Sequence, residues 1–326
     1  MFTARAWCRV DLAGGTLDIW PLGLLHPAAV TVNVAIDVAV EVTLEPARDR
    51  YRVRQGEERV DAASPGELAA QPEGALVGMV AEALELPPLT ATLRSASPRG
   101  GGLGASSAMT VAAIAAAEAA FGLPASAAGR RAAVARDLEA RLMGLPTGIQ
   151  DHYAALLGGA LEIRHRPGGE VVRRIEADLA ALGASLLVVY SGQSHFSAGQ
   201  NWQVVRRRLE GEPEAARLLA GIAGVAGRMA AALAAGDLPQ VGAGMSEEWR
   251  FRRQLATGIS TPAIERLLER AAAGGAWGGK ACGAGGGGCV AVLCPPDRRD
   301  EIAERLGEAG GQVLPARPAM EPLKVF

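Results

Sequence analysis

Cysteine is scarce in this chain of 326 residues: Cys8, Cys282, Cys289 and Cys294 are the whole supply, and no two are spaced C-x-x-C. Neither a zinc site nor a dithiol redox pair is signalled, and the four read as reduced, mostly buried thiols. Charge of one sign is also missing. Lys and Arg number 33 against 35 Asp and Glu, a net charge of −2, so nothing in the composition would gather a nucleic acid or an acidic membrane. Arg206, Arg207 and Arg208 form one short basic run, read as a solvated helix face. No uninterrupted apolar run reaches membrane-spanning length, and the first residues lack the basic-then-apolar order of a signal peptide. The expectation is a cytoplasmic protein with a small-molecule partner, no nucleic-acid or membrane partner, and a monomeric or homodimeric state. There is no internal repeat and no clean linker. The length suffices for a substantial core and two domains, divided as 1–180 and 181–326 where strand-rich patterning gives way to helix-rich patterning.

What the chain does have is glycine, 42 residues of it, and one cluster stands in a telling place. Residues 98–108 read PRGGGLGASSA and run into an alanine-rich apolar segment to Phe121. Gly100, Gly101, Gly102 and Gly104 remove the β-carbons that keep a ligand from the backbone and permit left-handed turns. Alanine is the best helix former, so a helix begins at the end of the loop. Free N–H groups and the helix dipole then converge on one point, an anion cradle. In so glycine-rich a chain the loop alone could be a flexible turn, but its place before a helix, with the Ser106 and Ser107 hydroxyls, favours phosphate binding.

Patterning places strands at 5–11, 29–44, 89–95, 185–190, 289–294 and 312–315, a weaker one at 51–60, and a hairpin from 159–164 and 171–175. Helices are expected at 75–86, 107–121, from a Ser126 cap to Met143, and at about 199–211, 213–235, 237–254 and 262–273. Residues 62–74 read as a surface loop.

Two tempting motifs fail on their context. Residues 274–281 (GGAWGGKA) nearly fit a P-loop, but Ala281 stands where a metal-binding Ser or Thr is needed, and a helix precedes it instead of a strand. Residues 283–288 (GAGGGG) satisfy G-x-G-x-x-G, yet a strand follows where a dinucleotide fold requires a helix.

Three segments remain that suggest one site. Residues 9–18 (RVDLAGGTLD) are a strand ending in a glycine turn with Asp18 beyond it; an ionised carboxylate there can accept from paired hydroxyls, or merely stabilise the turn. Residues 139–151 (EARLMGLPTGIQD) put Glu139 in the last turns of a helix and Asp151 after a Pro/Gly turn. One acid can hold a metal with Ser106 while the other meets a substrate hydroxyl, the separation of roles that phosphoryl transfer needs. Glu139 could also be an ordinary solvent-facing helix residue. The third segment is the loop from Lys280 to Gly288.

In this order and spacing the segments resemble the three motifs of the GHMP kinases. The first matches in Arg9, Asp11, Leu12, Gly14, Gly15 and Asp18; the second in Pro98, Gly102, Leu103, Gly104, Ser106 and Ser107; the third in Lys280, Gly283, Ala284 and the glycines from 285 to 288. Residues 148–159 (GIQDHYAALLGG) are most similar to the bacterial heptose-7-phosphate kinases and L-fucokinase-like sugar kinases. The resemblance implies a two-domain α+β fold, with an N-terminal ribosomal-protein-type βαβ domain, a C-terminal ferredoxin-like domain and the site between them. It implies an ATP- and Mg²⁺-dependent kinase of a monosaccharide or sugar phosphate. Pro98, Gly100, Gly101, Gly102, Leu103, Gly104, Ala105, Ser106 and Ser107 would hold ATP; Ser106 and Glu139 would ligate Mg²⁺; Asp151 would be the base. Gly15, Thr16, Asp18, His195, Gly285 and Gly286 would meet the substrate, with His152 a further possible contact. Three positions depart from the pattern: Trp7 stands where proline is usual, Leu17 intervenes between Thr16 and Asp18, and Ala105 replaces a common serine. Kinases of mevalonate- or homoserine-like alcohols and a catalytically inactive ATP/sugar sensor are the alternatives.

Overall fold

The computed structural model describes residues 1–194 and 198–326. In chain order its first part holds β1 (Phe2–Ala13), β2 (Val30–Pro46), β3 (Tyr51–Gln55), β4 (Glu58–Ala62), α1 (Pro65–Ala69), α2 (Ala75–Ala83), β5 (Leu89–Ser95), α3 (Ala105–Phe121), α4 (Ala128–Met143), α5 (Gln150–Leu157), β6 (Ala160–Arg166) and β7 (Gly169–Ile175). Then follow α6 (Leu179–Ser185), β8 (Leu186–Tyr190), α7 (Ala198–Leu209), α8 (Pro213–Ala234), α9 (Leu238–Arg252), α10 (Pro262–Ala273), β9 (Gly278–Ala281), β10 (Cys289–Leu293), α11 (Arg299–Glu308), β11 (Gln312–Leu314) and β12 (Lys324–Val325).

The frame is β2, whose β-branched Val, Ile and Thr residues favour a strand of unusual length. It pairs antiparallel with β1 along one edge, while its other edge is shared by β6 near the start and β5 near the end. The first sheet runs β12-β1-β2-β5-β3-β4, with β6 and β7 attached through β2. From Ile36 onward β2 alternates buried and partly exposed residues, so one face packs inward. Against it lies α3, buried from Ser107 to Glu118. Its alanines let the helix come close to the strands, which a larger side chain would prevent.

The second sheet, β11-β8-β10-β9, is antiparallel. Its strands alternate between two cores: Val188, Ala291 and Leu293 join the interior under the first sheet, whereas Leu187, Val189, Val290 and Val292 face a separate cluster with Ile222, Trp249, Ile264 and Ile302. The change of sheet falls between Ile175 and Leu186, across the expected division near residue 180. The last residues nevertheless return: β12 pairs with β1, and Ile36 bridges Pro318.

Several local expectations need correction. The 51–60 strand is a hairpin, β3 and β4 turning at Gly56. The 62–74 loop contains α1, which Ser64 caps by accepting from the Glu67 N–H, with proline in its first turn. Ser126 does not cap α4; that helix starts after Ala127 without a side-chain cap. Helices α5, α6 and α11 and strand β9 carry too few periodic residues to stand out in sequence. α8 is long and apolar enough by composition to cross a membrane, but Leu218, Ile222, Val225, Met229 and Leu233 are buried in the protein, as in a core helix. All four cysteines are free and buried, and burial pushes the Cys8 and Cys282 thiols up to about 12.

Candidate active site

The loop between β5 and α3 is held from both sheets. The Arg9 N–H of β1 donates to Leu103 O at 2.9 Å, its side-chain Nη1 donates to Gly102 O at 2.6 Å, and the Cys289 N–H of β10 donates to Gly101 O at 2.9 Å. Gly102 has φ +70°, and a β-carbon there would lie 2.8 Å from Cys282 O, so neither the turn nor the approach admits another residue. Gly104 precedes α3 and offers no side-chain cap. The first helical bond comes from Ala108 N–H to Gly104 O, at 2.9 Å. The earlier N–H groups of the helix therefore have no partner within it, and with the helix dipole they form an anion seat. Strain of about 1–3 kcal/mol at a disfavoured φ predicts that Gly102→Ala weakens ATP binding by roughly 5- to 150-fold; ATP titration checks this, and unchanged affinity would remove the loop from the nucleotide site.

Three acids converge beside the loop. Asp151 lies in the first turn of α5, and its Oδ1 accepts from Arg9 Nε at 2.7 Å. Its side chain keeps 21% of its surface exposed, against 5% for Arg9, so Asp151 can meet a ligand while its partner stays enclosed. Burial pushes the Asp151 carboxyl above the ordinary aspartate value; the Arg9 guanidinium opposes this and the Asp18 charge adds to it. Asp18 accepts from the Gln150 N–H at 3.1 Å and from Gln150 Nε2 at 3.4 Å, and burial raises it as well. A β-carbon on Gly148 would sit 2.0 Å from Asp18 Oδ2, so Asp18 reaches α5 only because residue 148 is glycine.

Glu139 is the third. Burial alone would raise its carboxyl, but His152 and the hydroxyls of Ser107 and Ser106 outweigh that and hold it below the ordinary value. Ser107 Oγ donates to Glu139 Oε2 at 2.7 Å. His152 Nε2 stands 3.0 Å from the same oxygen but out of line for a directed hydrogen bond, so the contact is electrostatic. Burial works to lower the His152 pKa; Glu139, Asp151 and Asp18 together leave it raised.

These groups surround a cavity of about 450 Å³ between the two sheets. Among the residues expected from sequence, Thr16, Asp18, Pro98, Gly100, Gly101, Gly102, Leu103, Gly104, Ala105, Ser106, Ser107, Glu139, Asp151 and Gly285 line it. Gly15 lies behind the wall against Asp11 and Arg252. Gly286 gives its N–H to Ile259 O at 2.6 Å. His152 is fully buried behind Glu139, and His195 falls outside the described residues. Sequence reading missed the role of Arg9 and all of Arg252, which also line the cavity. Arg9 stood within the first motif, where two charges, Arg9 and Asp11, set among apolar residues are a signal of buried partners. Arg252 gave none.

Among the described residues no group of three or more His, Cys, Asp or Glu side chains could hold a metal. Mg²⁺ takes one or two carboxylates and completes its shell with phosphate oxygens and water. Glu139, kept ionised beside the Ser106 and Ser107 hydroxyls at the phosphate seat, fits that pattern.

A seat for phosphates, a carboxylate–hydroxyl pair beside it and an arginine-held aspartate across a crevice suit phosphoryl transfer to a small molecule. The family descriptions "GHMP kinases N terminal domain" and "GHMP kinases C terminal" match residues 73–159 and 229–312, together more than half of the chain. The protein belongs to the GHMP kinases. It therefore has their two-domain α+β architecture, and it is a small-molecule kinase that uses ATP and Mg²⁺ to phosphorylate a hydroxyl group. A galactokinase from Mycobacterium tuberculosis is 28% identical over 340 aligned positions, covering 92% of this chain and 91% of that protein. A mevalonate kinase from Pyrococcus abyssi is 29% identical over 257 positions, covering 73% and 68%. In structure, a D-glycero-D-manno-heptose 1-phosphate kinase from Bacteriodes thetaiotaomicron is similar with TM-score 0.79 at 21% identity, covering 100% of this chain and 99% of that one. Lactococcus lactis galactokinase complexed with galactose gives TM-score 0.80 at 12% identity, covering 99% and 94%.

Proposed function

We propose that the acceptor is a monosaccharide or a sugar phosphate, and that Asp151 takes the proton of its attacking hydroxyl. The observation that carries this reading is the pair of carboxylates on one cavity wall, Asp18 and Asp151, tied together through consecutive residues of α5. A polyol offers two or more hydroxyls to such a pair. Asp18 accepts from the hydroxyls that are not phosphorylated and so orients the sugar. Asp151 receives the proton of the one that is, and Arg9 fixes the direction of its carboxylate and opposes the effect of burial on it. The N-terminus of α3 and the glycine loop hold the phosphates by backbone N–H groups. Glu139 and Ser106 would hold Mg²⁺, which would supply positive charge to the phosphate oxygens. Gly285 and the loop around it close the crevice from the second sheet, so the site draws on both sides of the proposed division at residue 180.

Coverage supports a sugar over a non-sugar alcohol: the galactokinase similarity extends over nearly the whole of both chains, the mevalonate kinase similarity over about three quarters of this one. An ADP-release assay across free sugars, sugar phosphates, mevalonate and homoserine tests it. Turnover on a sugar or sugar phosphate is expected; turnover on mevalonate or homoserine alone would overturn the sugar assignment. ATP binding with no turnover on any acceptor would point to a sensor instead.

A further inference from the structure

The turn that carries Asp18 and the loop that braces the phosphate seat meet at one guanidinium. Arg252, at the end of α9, is 1% exposed, and each of its five N–H groups has a destination. Nε and Nη2 donate to Glu248 Oε1 at 2.9 and 2.7 Å. Nη2 also donates to Asp11 Oδ2 at 3.3 Å, and Nη1 donates to Thr16 Oγ1 at 3.0 Å and to Gly283 O at 3.2 Å. Lys280 Nζ stands 2.9 Å from Asp11 Oδ2 and 3.0 Å from Glu248 Oε2. It balances both acids, so the guanidinium sits in a neutral, fully enclosed quartet with no freedom to swing.

Thr16 has φ +73°, a left-handed conformation that a β-branched residue rarely adopts unless something holds it. Its hydroxyl accepts from Arg252, and the turn beneath has no room for adjustment: a β-carbon on Gly15 would lie 2.6 Å from Arg252 Nη2. Gly283, on the other side, is where β9 leads into the loop whose following strand pins Gly101. The two loops come from opposite ends of the chain, and Arg252 joins them.

We propose that Arg252 is a positioning residue for the acceptor: by holding the Thr16 hydroxyl and the Gly283 carbonyl together, it sets Asp18 at a fixed place relative to the phosphate loop. This rests on the kinase reading above. The Thr16 hydroxyl serves this clamp, so Thr16 acts on the acceptor through Asp18, two residues along. When the bond is absent the turn relaxes out of its left-handed conformation and Asp18 shifts with it. Misplacement of about 1 Å costs on the order of 100-fold in a positioned reaction.

Kinetics of four variants test the clamp. Thr16→Val, which keeps the shape and loses the hydroxyl, is expected to raise the acceptor KM about tenfold or more and to leave the ATP KM within about twofold; Thr16→Ser recovers most of the loss. Arg252→Met shows the same split, Arg252→Lys a smaller one, and Thr16→Val combined with Arg252→Met is no worse than Arg252→Met alone. Equal changes in both KM values, or effects that multiply in the double variant, overturn the proposal. The Thr16 pair decides the matter if Arg252→Met does not fold. If no acceptor is turned over at all, the same cycle is read on urea unfolding: non-additive stabilities keep the clamp and overturn only the kinase reading, while additive ones overturn the clamp.

Discussion

Asp151→Asn is expected to lower kcat by roughly 100- to 10,000-fold, the span of a general base, with ATP affinity close to that of the unaltered protein. The amide preserves the size of the side chain and can still accept from Arg9 through its oxygen, so the geometry around α5 survives while the proton acceptor is lost. Loss of ATP binding in parallel would mean that the residue shapes the nucleotide site; normal turnover would remove it from its role. The pH profile gives a second check. Burial raises the Asp151 carboxyl, and a base is active only when ionised. Activity in the unaltered protein therefore falls as pH drops through a value above that of an ordinary aspartate, and this acid limb is expected to vanish in the asparagine variant.

Lys280→Met should produce the largest loss of stability. Lys280, Asp11, Glu248 and Arg252 are all buried, at 0–2% side-chain exposure, and two positive charges offset two negative ones. Methionine fills a similar volume but leaves Asp11 and Glu248 sharing one cation away from water. Removing one partner from a buried ion pair costs about 3–5 kcal/mol, which urea unfolding would detect as an earlier midpoint with unchanged slope. Glu248→Gln placed on top of Lys280→Met restores the charge balance, so the double variant is expected to be less destabilised than Lys280→Met alone. A double variant worse than the single one would show that packing, and not unbalanced charge, sets the cost.

The parts of the site legible in sequence were those whose chemistry is local. Gly100, Gly101, Gly102 and Gly104 in front of an alanine run announce a loop and a helix start by their own backbone preferences, and α3 begins there. Asp18 and Asp151 could be noticed because each follows a recognisable turn, and Glu139 because it stands near the end of a patterned helix. The quartet around Arg252 was not legible: Lys280 and Asp11 are 269 positions apart, and no periodicity joins them. Lys280 itself first appeared as the lysine of a failed P-loop motif, and its actual position on β9, turned into the protein, depends on pairing with β10. The same holds for Ser107. Ser106 was the serine that sequence paired with Glu139, yet helical geometry gives Ser107 the direct hydrogen bond to that acid and leaves Ser106 the more exposed of the two on the cavity wall. Short elements such as α5 went unseen because eight residues give too little periodicity, although this one carries Asp151, the base proposed above, in its first turn.

The return of β12 to the first sheet has a mechanical consequence. The backbone passes between the halves twice, once through residues 176–185 and again through 315–318, and the final residue is tied down by reciprocal hydrogen bonds with Thr3 at 2.8 and 2.9 Å. A single tether would let the halves twist and slide against each other; the second crossing, with β12 paired to β1, removes that freedom and holds the opposing walls of the crevice in register.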